Sequence, residues 1–139
     1  MNLIHSEVMK MEFISDNYHR RIVNTYKELL ETDKKLRMMQ SALDRQISDI
    51  YHTIEKTSHQ DLDAIAYTSE LKRLLTRRRV VKDEMARMKP FVYIARNTLE
   101  DVERRYEGAL LKSFELRQQL NVTMSVEEVA AEMGVEGLR

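Results

Sequence analysis

Four histidines and a run of arginines are the residues of this sequence with the most evident chemical potential. Asp16-x-x-His19 and Asp49-x-x-His52 each set a carboxylate and an imidazole three residues apart, on one face of a helix, a spacing with which helical bundles hold metal ions. On one unbroken helix the two pairs lie 33 residues apart, about 50 Å at ~1.5 Å per residue, and cannot converge. His52, Glu55 and His59 would form only a loose surface set. The sequence therefore predicts no metal site and no cofactor. It contains no phosphate-binding glycine loop, dinucleotide fingerprint or nucleophile–base pairing, and no cysteine for thiolate or disulfide chemistry. No enzymatic activity is expected.

The arginines suggest binding instead. Lys72, Arg73, Arg77, Arg79 and Lys82, with Arg78, form a basic cluster suited to phosphates or to an acidic protein face. Lys72 and Arg79 are seven residues apart, on one side of a helix. From Lys72 to Lys89 eight basic residues stand against two acids, and from Glu100 onward nine acids stand against five bases. The whole chain balances at 23 of each sign, unlike a generic polyanion binder. No aromatic residue interleaves the cluster, so stacking on bases is not expected. Nucleic-acid contact should be weak, sequence-independent and salt-sensitive.

These side chains must be carried by long helices. From Leu71 to Leu120 apolar residues recur at alternating steps of three and four, and of fifteen a and d heptad slots only Arg78 and Ser113 are polar. Such a seam lies along another helix. A second heptad run extends from Ile4 to Ile54. Its a positions are Val8, Ile22, Leu29, Leu36, Leu43 and Ile50, with a polar gap at Ser15, and its d positions are mixed, among them Thr25, Thr32 and Thr53. Tyr26, Ile47 and Ile54 widen the stripe toward e.

A turn near 57–60 separates the runs, with Ser58 and Asp61 spaced as a helix cap. The chain then folds into an elongated antiparallel hairpin of helices at about 3–56 and 61–116. Residues whose numbers sum to roughly 118 should lie opposite, which sets Arg78 near Gln40 and Asp44. Pro90 would kink the second helix, although Met88, Val92 and Ala95 keep register through it. A three-helix bundle broken at Pro90 is the alternative.

Val23, Leu30, Met38, Val80, Phe91, Tyr93 and Ile94 fall outside the seam. A two-helix hairpin cannot bury both faces, so these residues are expected to meet a protein partner, most simply a second copy in a dimer.

After Leu120 the pattern changes. Ser125 with Glu128 forms a capping box and Gly134 a helix stop, which predicts a short helix at 126–133. Val126, Val129, Ala130, Met133, Gly134 and Val135, with Leu110, Leu111, Phe114 and Leu116 upstream, resemble the first half of a helix-turn-helix of the sigma-factor type. The small Ala130, four before Gly134, would suit a close helix crossing. The resemblance covers 110–135; the recognition helix that such motifs insert into DNA has no counterpart in Glu136–Arg139.

Composition agrees with an all-α class: 33% charged residues, three glycines, one proline and no tryptophan. No apolar run approaches the ~20 residues of a membrane span, and the Met1–Phe13 segment lacks signal-peptide order, so a cytoplasmic protein is expected. The division expected is a hairpin at 1–120 and a short helical segment at 121–139. The function expected is a small binding or regulatory protein acting through helical faces; a transcription-related role through the C-terminal element and the basic cluster is the alternative.

Overall fold

The computed structural model describes residues 11–138. Among them are three helices and no strand: α1, Ile14–Lys56; α2, Ala64–Leu120; and α3, Val126–Met133. The two long helices pack against each other, as the paired heptad runs predict. The heptad positions Ile4 and Val8, and a helix start near residue 3, lie outside the described residues.

α2 runs without interruption through Pro90, so the three-helix alternative does not form. The proline leaves the Ala86 carbonyl without its helical donor. The connection is longer than expected. The Ser58 hydroxyl donates to Asp61 Oδ2 at 2.9 Å inside the connection, and the cap is Asp63, whose Oδ1 accepts the Ala66 N–H at 3.0 Å. α2 thus begins at Ala64 rather than near residue 61.

The chain divides into two compact units, Glu28–Ala95, and Met1–Lys27 with Arg96–Arg139. α3 falls within the second of these units.

In the Glu28–Ala95 unit the α2 seam is the predicted one: Leu74, Val81, Val92 and Ala95 are buried, with Leu74 only 1% exposed. Arg78, the polar a position, is satisfied by Asp44, Nε to Oδ1 at 2.6 Å. Asp44 is one of the two neighbours expected for Arg78, and the two numbers sum to 122 where the expected register centres on 118. On α1 the expected a positions Leu29, Leu36, Leu43 and Ile50 are half-buried, while the d column faces out and a neighbouring column is drawn in: Leu30 is half-buried and Thr32 exposed, and in the other unit Val23 is buried, Tyr26 half-buried, and Ile22 and Thr25 exposed. A d column rich in threonine has less apolar area to bury than this neighbouring one. Thr25 and Thr53 instead donate to the carbonyls of Arg21 and Asp49 four residues back, at 2.7 and 2.9 Å. In the second half of α1 the inward column is Leu43, Ile47, Ile50 and Ile54, the drift toward e that the sequence suggests. Asp33 is buried in this seam, its carboxylate 3.0 Å from Arg37 Nε one turn along.

In the other unit the start of α1 is tied by Asp16 at the third helical position, whose Oδ2 accepts the Phe13 N–H at 2.8 Å. α3 has the predicted boundaries and caps. Ser125 accepts the Glu128 N–H at 3.2 Å. Gly134 adopts a left-handed φ of 71°, and Val135 N–H closes on Ala130 O at 2.9 Å.

Two stability changes follow. Leu74→Ala should cost about 3 kcal/mol, within the usual range for a fully buried leucine. Pro90→Ala, at an exposed position inside α2, should raise stability by up to about 3 kcal/mol by restoring a helical hydrogen bond. Urea unfolding followed by circular dichroism measures both; an unchanged midpoint for Pro90→Ala would mean that the proline carries no helical penalty here.

Candidate interaction surface

Five of the seven residues expected on an outer stripe do face outward. Met38, Val80, Phe91, Tyr93 and Ile94 are all exposed, Val80 at 65% and Tyr93 at 69%. Val23 and Leu30 are not part of it: Val23 is 7% exposed and Leu30 half-buried, because α1 turns that column inward. All five outward residues belong to the Glu28–Ala95 unit. Val80 and Ile94 lie two heptads apart on one side of α2, with Tyr93 adjoining, and Leu75 is also exposed.

Beside this column α2 forms an open groove between Thr68 and Val80. It is lined by the apolar Leu71, Leu75 and Val80, by Thr68 and Thr76, and by Lys72, Arg78 and Arg79. The basic cluster does not act as one patch. Arg73 donates to Glu70 through Nε and Nη2, one to each carboxylate oxygen, with Nε to Oε2 at 2.9 Å. This bond holds the Glu70 carboxyl below its ordinary range and raises Arg73 in turn. Arg78 is taken by Asp44, Arg87 pairs with Asp83 at 3.2 Å, and Arg77 donates to the Arg73 carbonyl at 3.2 Å. Lys72, Arg79 and Lys82 enter no ion pair among the described residues, and Lys82 is half-buried. Arg77 and Lys89 are exposed and also enter no ion pair among the described residues; Lys72 and Arg79 are the unpaired cations that line the groove.

The other unit holds a polar cluster that the sequence reading missed. The Tyr106 hydroxyl donates to Asp16 Oδ1, and its oxygen is 2.8 Å from Ser15 Oγ. With the single phenolic proton committed to Asp16, Ser15 is the donor of the second bond. His19 stacks on Tyr106 with centroids 4.4 Å apart, and its Nε2 is buried without a partner. Asp16 and His19 do share one face, as their spacing implies, but they meet a tyrosine. The available signal was Tyr106 itself, a seam residue whose hydroxyl needs a partner when buried. His52 lies 3.8 Å from Glu55, and among the described residues no three His, Asp or Glu side chains gather to hold a metal ion.

Of the helix-turn-helix positions, Ala130 is buried, Leu110 and Phe114 are half-buried, and Leu111, Leu116, Val126, Val129, Met133 and Val135 are exposed. No described helix is long and apolar enough to cross a membrane. No protein-family model matches the chain, and neither a curated protein nor a solved structure matches it.

Tyr106 yields a prediction with a sign. Its hydroxyl is held above the ordinary tyrosine range, first by partial burial and then by its bond to Asp16, with Ser15 opposing. The unfolded chain therefore loses this proton first. The stabilisation is complete below pH ~10 and is lost as pH rises through the folded pKa. Tyr106→Phe should cost about 1–2 kcal/mol at neutral pH and should remove part of the fall in stability above pH ~10. Urea unfolding of both proteins across that range checks it; parallel pH profiles would refute the assignment.

Proposed function

We propose that this protein is a non-enzymatic binding module that recognises a protein partner by helix-on-helix packing, through the exposed apolar column of α2 in the Glu28–Ala95 unit. The observation that carries the reading is the alignment of Val80, Tyr93 and Ile94 on one outward side of a helix whose inward stripe is already occupied by Leu74, Val81, Val92 and Ala95. Contiguous exposed apolar residues mark interaction sites on soluble helical proteins, and aromatic and aliphatic anchors on one helix side match the helix-in-groove mode of recognition. The cations at Lys72 and Arg79 favour an acidic partner surface and speed encounter with it.

The test is Val80→Glu with Ile94→Glu. Both sites are exposed, so stability should change by no more than about 0.5 kcal/mol and helicity should persist. Proteins cross-linked by the wild type in extracts of its source cell should include species that the double variant fails to capture. Identical sets from the two proteins would reject this column as the binding face.

A further inference from the structure

The groove on α2 and the helix α3 have complementary chemistry. The groove is lined by the apolar Leu71, Leu75 and Val80 and by the cations Lys72 and Arg79. α3 carries Val126, Val129 and Met133 at spacings of three and four, all exposed, and of its residues only Ala130 is buried. Segment 126–138 contains four acids, Glu127, Glu128, Glu132 and Glu136, and no base. The eight residues of α3 extend about 12 Å, and the Thr68–Val80 groove about 18 Å. An amphipathic acidic helix with anchors at i, i+3 and i+7 is the kind of ligand that a groove lined by apolar and basic residues takes.

We propose that α3 of one copy of this chain docks in the α2 groove of a second copy. The inference rests on the reading of α2 as a binding surface and names what binds at its groove. Charge is the argument for a second copy. The chain is neutral overall, yet its 72–89 segment is basic and its sequence from residue 100 onward is acidic, so each copy carries both halves of the contact. Two copies can then form two equivalent contacts, which is how a self-complementary pair closes.

A charge swap tests this. One variant carries Lys72→Glu and Arg79→Glu; the other carries Glu128→Lys, Glu132→Lys and Glu136→Lys. The wild type should sediment above its 16.5 kDa monomer mass in a concentration-dependent way. Each variant alone should associate at least about tenfold more weakly, because groove and helix then have like charge. An equimolar mixture should regain the wild-type mass, since the acidic groove of one takes the basic helix of the other. A wild type that stays monomeric, a variant that associates as the wild type does, or a mixture that stays monomeric overturns the proposal. If a variant loses helicity, salt decides: wild-type association should weaken about tenfold or more between about 50 and 500 mM sodium chloride, and salt-insensitive association overturns it. Val80 borders both surfaces, but the two readings fail separately: the capture experiment scores proteins other than this chain, and the charge swap scores the mass of this chain alone at residues outside the Val80–Ile94 column.

Discussion

Each of two helices packed side by side can bury only one stripe of its surface, and this constraint governs the molecule. In the Glu28–Ala95 unit the α2 stripe is filled by Leu74, Val81, Val92 and Ala95. Leu71, Met85 and Met88 are half-buried beside them, and the apolar residues off that stripe, Leu75, Val80, Phe91, Tyr93 and Ile94, are exposed. The composition is therefore uneven: a narrow, nearly all-apolar seam, an opposite side where large apolar residues stay exposed, and flanks of charge.

The same constraint explains what was legible in the sequence. The α2 seam was clear because its period is regular and nearly all of its slots are apolar. α3 was readable to the residue because Ser125 and Gly134 act locally, through hydrogen bonds to their own helix. The sequence also indicated that α2 would pass Pro90, since the apolar register survives on both sides. α1 was harder to read. Its threonine-bearing d column competes with a neighbouring column of nearly equal apolar content, and only contact with α2 decides between them. That decision moved Val23 and Leu30 inward, leaving Met38, Val80, Phe91, Tyr93 and Ile94 outside. Asp33 and Tyr106 were missed for a related reason: a polar group is satisfied by particular neighbours, and an approximate register leaves open which neighbours those are.

Charge was likewise only partly readable. Counting gives a strong basic excess between Lys72 and Lys89, but a count ignores who holds whom. Glu70, Asp44 and Asp83 neutralise Arg73, Arg78 and Arg87. Lys72, Arg77, Arg79, Lys82 and Lys89 enter no ion pair among the described residues, and of these Lys72 and Arg79 line the apolar groove. Exposed ion pairs contribute little to stability, so the chief effect of these pairings is to reduce the available positive charge.

The hairpin connection also sets an order of assembly. The contact between Asp44 and Arg78 closes a loop with a sequence separation of 34, and that between Asp16 and Tyr106 closes one of 90. Loop closure scales with the logarithm of length, so the longer loop costs only about 0.9 kcal/mol more. Once the shorter loop has formed, even that difference shrinks, because most of the intervening chain is already fixed. The two helices can therefore zip from the connection outward, with local contacts preceding distant ones, a route that favours rapid folding. Opening runs the other way: the bond of Arg117 to Met11, across a separation of 106, parts before those of Ser15 and Asp16 to Tyr106, and these before that of Asp44 to Arg78.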